Sequence, residues 1–110
     1  MANPNLLNAT SIYGKHVAQH GSSSTQTILT CPSNKLIKIL TINIHSDGSN
    51  NYHKLWIAGK QISGGASNQP PGDGNITLGS FYLMEGESVT WIATGNEVDC
   101  FISYEEIDDA

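Results

Sequence analysis

Four histidines, His16, His20, His45 and His53, are the side chains best suited to hold a transition metal. A zinc centre needs three or four such ligands converging in tetrahedral geometry. His16 and His20 have the i, i+4 spacing that unites two ligands on a helix, yet their surroundings read as strand and loop. Along a strand, four residues span more than about 10 Å. His45 and His53 flank Asp47-Gly48 and would face one another across a hairpin, which supplies two ligands and no third. The sequence therefore predicts neither a metal site nor a cofactor.

Carboxylates and nucleophiles lead the same way. Glu85 with Glu87, and Glu105 with Glu106, are the candidate acid–base pairs. Hydrolytic carboxylates must converge across a cleft, whereas neighbours on a turn share only solvent. No Gly-x-Ser-x-Gly elbow, Walker loop or dinucleotide fingerprint occurs. The expectation is a non-enzyme. Cys31 and Cys100 are too few for a disulfide-built scaffold and read as two buried thiols rather than a bridge.

Charge narrows the partners. The net charge is −5, and every basic residue is a lysine: Lys15, Lys35, Lys38, Lys54 and Lys60. Nucleic-acid readers cluster Arg and Lys against phosphate, and no such patch exists here, so no nucleic-acid partner is expected. The same balance disfavours an anionic membrane surface. No apolar run is long enough for a transmembrane helix. Residues 1–10 lack the basic and apolar regions of a secretory signal.

The elements that must position these residues are strands. A chain of 110 residues, lean in charge and rich in Asn, Ser, Thr and Gly, suits one all-β domain spanning 1–110. Ala9–Val17 and Thr25–Cys31 read as strands, the second ended by Pro32. Lys35–His45 is the strongest. Its apolar phase slips after Ile39, placing Ile37 and Ile39 on one face and Leu40, Ile42 and Ile44 on the other. Such a slip implies a β-bulge or a strand covered on both faces. Asp47-Gly48 marks a hairpin turn into Tyr52–Ala58, where Tyr52, Lys54 and Trp56 oppose Leu55 and Ile57.

Residues 59–75 read as a long loop, and long loops in compact domains are usually functional or flexible. Ile76–Met84 resumes as a strand before the Glu85-Gly86 turn. Val89, Trp91 and Ala93 share a face of the next strand, and Gly95-Asn96 turns again. In the last strand Val98, Cys100, Ile102 and Tyr104 oppose Asp99, Phe101, Ser103 and Glu105. An acidic tail follows, from Glu105 to Asp109. Seven or eight short, mainly antiparallel strands at this spacing predict a single-domain β-sandwich of jelly-roll type. Of Trp56, Phe81, Tyr82, Trp91 and Phe101, most are expected in its core. Phe101 is the interface candidate, because its face-neighbours Asp99 and Ser103 are polar.

Three stretches then stand out together. They are Ile12-Tyr13-Gly14-Lys15; the run from Ile28-Leu29 through Pro32, Lys35, Lys38-Ile39, Asn43 and Asp47-Gly48; and Phe81-Tyr82-Leu83-Met84-Glu85-Gly86-Glu87-Ser88-Val89 with Cys100-Phe101-Ile102-Ser103-Tyr104-Glu105-Glu106-Ile107. In this order they resemble small virion structural proteins of tailed bacteriophages, of the kind that infect cyanobacteria and other aquatic bacteria. The similarity covers nearly the whole chain, departs at Gly59–Gly74, and is most specific at Glu85-Gly86-Glu87-Ser88 and Ser103-Tyr104-Glu105-Glu106.

The resemblance implies a non-enzymatic β-sandwich on the virion surface, assembled in the host cytoplasm: a capsid decoration, or cement, protein that binds the major capsid protein. A homo-oligomer, by analogy a trimer, would suit such a place. Strand addition through an arm at residues 1–10 makes Asn3, Pro4, Leu6 and Leu7 contact candidates beside Phe101. A tail, neck or fibre component is the alternative within that class. A carbohydrate-binding module, using an aromatic such as Trp56 or Tyr82, is the alternative outside it.

Overall fold

The computed structural model describes residues 9–46, 52–63, 74–76, 81–94 and 98–109. These form nine strands: β1 (Ala9–His20), β2 (Gln26–Thr30), β3 (Lys35–Ser46), β4 (Tyr52–Ile57), β5 (Lys60–Ser63), β6 (Gly74–Ile76), β7 (Phe81–Leu83), β8 (Ser88–Thr94) and β9 (Val98–Asp109). No helix occurs among the described residues. The fold is all-β, as expected.

The strands lie in two antiparallel sheets. The long sheet runs β1-β9-β3, with β6 and β7 end to end along the far edge of β3; the short sheet runs β2-β8-β4-β5. Counting β6 and β7 as one lane, this is the eight-lane jelly-roll order, in which most connections cross from one sheet to the other. Inner faces supply one continuous core, formed by Ile37, Ile39, Ile42, Ile44, Val98, Cys100, Ile102 and Tyr104 against Leu29, Leu55, Val89, Trp91 and Ala93.

Strand β3 shows how the phase slip is resolved. Ile39 pairs with Tyr104 and Thr41 with Ser103, leaving Leu40 as an extra, bulged residue. A bulge sets two residues against one, so the alternation restarts one residue later. Ile42 and Ile44 therefore rejoin Ile37 and Ile39 on the inner face, and the expected opposition between the two pairs is corrected. Leu40 alone is turned out, 41% exposed. The β6/β7 lane is split beside this point, since β6 pairs with Ile42–Ile44 and β7 with Ile37–Ile39.

Local chemistry fixes the crossings. Gly21 carries the chain from β1 to β2, donating its N–H to Val98 O at 2.7 Å while Ser22 O accepts from Ala93 N at 2.9 Å. A Cβ at Gly21 would stand 2.6 Å from Ala93 Cβ, so this close approach demands glycine. Gln19 completes the seam: its Oε1 accepts the Trp91 indole N–H at 2.6 Å and its Nε2 donates to Thr27 O at 3.3 Å.

Two expectations about irregular stretches change. Ala58 and Gly59 both have positive φ, 48° and 81°, the signature of a type I′ hairpin turn. The chain thus returns as β5 at Lys60–Ser63, inside the segment expected to be loop. The acidic tail is also strand: β9 pairs with β1 and β3 as far as Asp109 and Asp108. Glu85-Gly86 does form its tight turn, with Gly86 at φ 84° and Glu87 N–H donating to Met84 O at 2.9 Å. The Asp47-Gly48 and Gly95-Asn96 turns and residues 64–73 of the expected loop lie outside the described residues.

Candidate interaction surface

Register places the outward face of the long sheet in five rows. They run Ile12–Ile107–Leu36, Gly14–Glu105–Lys38, His16–Ser103–Thr41, Ala18–Phe101–Asn43 and His20–Asp99–His45 across β1, β9 and β3. Each row exists because residues directly opposite on antiparallel strands share a face. Diagonal neighbours meet as well: the rings of His16 and Phe101 stack with centroids 5.3 Å apart and planes 7° from parallel. His20 Nδ1 lies 2.8 Å from Asp99 Oδ1.

The exposed large hydrophobic side chains are unevenly shared. Ile12, Tyr13, Leu40, Tyr82 and Phe101 all belong to the long sheet, and none among the described residues belongs to the short one. Phe101, the interface candidate from the sequence, is 43% exposed near the start of β9. Leu36 and Ile107, on the same outward face, are buried yet stand apart from the main core cluster.

The short sheet presents a different outward face. Thr27, Thr30, Ser88 and Thr90 line it through the β2–β8 register, and Thr30 Oγ1 and Ser88 Oγ are 2.8 Å apart. Trp56 is half-buried there, opposite Thr90 on one side and Gln61 on the other.

The candidate chemistry groups are dispersed over this frame. Three histidines, His16, His20 and His45, reach the outward face of the long sheet. His53 lies instead on the inner side of the short sheet, opposite Ala93, so the expected His45–His53 pairing across a hairpin does not form. Its Nε2 is 2.9 Å from Ser63 Oγ, and its buried Nδ1 has no partner among the described residues. Burial pushes the His53 pKa down. No group of three or more His, Cys, Asp or Glu among the described residues is arranged to hold a metal ion.

The carboxylates hold the fold together. Glu87 Oε1 accepts the Met84 N–H at 2.8 Å, and Glu85 Oε1 accepts the Asn34 N–H at 3.2 Å, so the pair ties two turns. Glu106 accepts from Lys15 Nζ at 3.0 Å, and Asp108 pairs with Lys35. Those bonds raise both lysine pKa values. Cys31 and Cys100 are free, buried thiols. Burial raises the Cys31 pKa and lifts that of Cys100 to about 12, which keeps both protonated at neutral pH.

Sequence reasoning found Phe101 from its polar neighbours but missed Ile12, Leu40 and the His16 stack. The alternation Ile12, Gly14, His16, Ala18, His20 is too polar on both faces to reveal which one packs. Asn3, Pro4, Leu6 and Leu7 lie outside the described residues. No helix among the described residues is long and apolar enough to cross a membrane. The fold defines the class: a jelly-roll β-sandwich whose described exposed large hydrophobics all belong to one sheet. Comparison with known protein families, with curated proteins and with solved structures gives no match.

Proposed function

We propose that this chain is a non-enzymatic virion structural protein of a tailed bacteriophage, a capsid decoration subunit whose long sheet docks on the major capsid protein. The observation that carries the reading is that four of the five described exposed large hydrophobics, Ile12, Leu40, Tyr82 and Phe101, stand on the outward face of that one sheet. Exposed apolar patches of this kind mark protein contact sites. Two further points support it. The resemblance to phage virion proteins runs in order along nearly the whole chain, and jelly rolls recur in viral capsid domains, although fold analogy alone assigns no function.

A homo-oligomer, such as a trimer at three-fold positions of the shell, is what the resemblance suggests by analogy, and linked copies would gain avidity from repeated contacts.

The test is to add the purified protein to capsids lacking it and image them by cryo-electron microscopy. Regular density at local symmetry axes, lost with Phe101→Ser, is the expected result. Bare shells, with the protein at the neck or tail of native particles, would transfer the role to a connector. A second reading, carbohydrate binding, draws on Trp56 amid Gln61 and Thr90. It requires glycan-array binding that Trp56→Ala abolishes while leaving shell binding intact.

A further inference from the structure

We infer that the free edge of β1 accepts an extended, carboxylate-bearing segment of a partner protein as an added strand of the long sheet. The inference deepens the proposed function and rests on the long sheet being the docking sheet.

Position comes first. β1 is the outermost lane of its sheet, and no described strand pairs with it on the side away from β9. It runs for 12 residues, and the Ser11–His20 stretch pairs with β9 without interruption. In an antiparallel pair alternate residues turn their N–H and C=O groups away from the partner, so this edge offers a row of donors and acceptors. Neither proline nor a bulge interrupts that row between Ser11 and His20. At its start Ile12 and Tyr13 are 60% and 48% exposed, one on each face of the sheet, ready to flank an incoming strand.

Charge then selects the occupant. β1 carries Lys15, His16 and His20 and not a single carboxylate, in a chain of net charge −5. Its established neighbour β9 is the acidic strand, and two of its carboxylates meet β1: Glu106 binds Lys15 at 3.0 Å and Asp99 lies 2.8 Å from His20. On the far side of β9, β3 again supplies a lysine, with Lys35 on Asp108. These three lanes thus alternate cationic, acidic, cationic, whereas the lane at the opposite edge, β6 with β7, carries no charged residue; at the β1 edge an acidic strand would extend the order. A second copy's β1 breaks the order. Self-pairing of β1 centred on Lys15 would set the two Lys15 side chains directly opposite one another, and like charges so placed are destabilising.

The probe for the test is a 12-residue peptide with the sequence of residues 98–109, the strand that β1 already accepts, carrying Ser in place of Cys100. Titrated into the folded protein at low salt, it should bind and slow hydrogen exchange at alternate β1 amides. Lys15→Gln should weaken binding and Lys15→Glu should weaken it further, by roughly tenfold and mainly through slower association. Because Lys15 also pairs with Glu106, circular dichroism and the urea midpoint of each variant are read beside the titration, and Lys15→Gln, which adds no like charge beside Glu106, is the variant on which the comparison rests. A peptide with Lys at the positions of Glu105 and Glu106 should not bind. Equal binding of the acidic and lysine peptides, or protection at β2 or β5 instead of β1, overturns the inference. So does concentration-dependent dimerisation that blocks the peptide. Shells that bind Lys15→Glu as well as wild type while losing Phe101→Ser overturn strand addition and leave the docking sheet standing. Shells left bare by wild type remove the proposed function itself.

Discussion

The two sheets share one core yet are built to different lengths. Strands β1, β3 and β9 of the long sheet each have 12 residues, about 40 Å of extended chain. In the short sheet β2, β4 and β8 have 5, 6 and 7 residues, about 16 to 23 Å. The long sheet must therefore overhang, and the molecule is 47 Å in its longest dimension against 22 and 20 Å in the others. Under the overlap, the inner faces are apolar and closed. Beyond it the inward positions of the long sheet are occupied by Tyr13, Lys15 and Glu106, and stability passes from burial to ion pairs. Both sheets build the core, and the longer one extends past it, so its outer surface exceeds what the fold requires.

The strongest challenge to this division is a truncation in the overlap. Trp91 is fully buried and its indole N–H reaches Gln19 across the sandwich. Trp91→Ala is expected to destabilise by about 3–5 kcal/mol, read from the urea midpoint at constant m. A change under about 1 kcal/mol would show that the sheets do not share a core there.

Next comes a matched pair on β3. Ile42→Ala should cost roughly 2–5 kcal/mol as a core truncation, whereas Leu40→Ala, at the exposed bulge, should cost under about 1 kcal/mol. Equal effects, or the reverse order, would put the bulge at another residue.

The third prediction concerns acid. Burial lowers the folded pKa of His53 below its ordinary value of 6.5, so the unfolded chain takes up that proton first. The His53 contribution to stability is thus full above pH about 6.5 and is lost as pH falls through the folded value. Wild type should lose urea resistance between pH 7 and pH 5 more steeply than His53→Leu. Parallel pH profiles would mean that His53 is as well solvated folded as unfolded.

The smallest effect on stability is expected on the outward face of the long sheet. Phe101→Ser removes the stack on His16 and should change stability by about 1 kcal/mol or less, while removing shell binding. A large loss of stability would recast Phe101 as part of the fold instead of the docking surface.

Much of this division was legible in residue order. The alternation Val98, Cys100, Ile102, Tyr104 against Asp99, Phe101, Ser103, Glu105 assigned both faces of β9 and singled out Phe101. Leu55 and Ile57 against Trp56 did the same for β4. A period of two survives in sequence because neighbouring residues of a strand face opposite ways whatever strand lies beside them.

Other features depend on partners far along the chain. The slip in β3 was visible, but only pairing with β9 decides that Leu40 is the bulged residue and that Ile42 returns to the core. The run Glu105–Asp109 has the composition of a solvated tail. It becomes strand because β1 and β3 pair with it from both sides, which also brings Lys15, 91 residues away, to Glu106 and Lys35, 73 residues away, to Asp108. β1 is polar on both faces, so no pattern within it announces an edge strand with Ile12 exposed and His16 stacked on Phe101. The sequence by itself determined the all-β class, most of the strands and the buried faces of β4, β8 and β9, since these follow from local alternation and turn chemistry. Tertiary structure alone decided lane order, bulge position and the overhang of one sheet past the other, because each is a contact between residues whose separation along the chain carries no periodic signal.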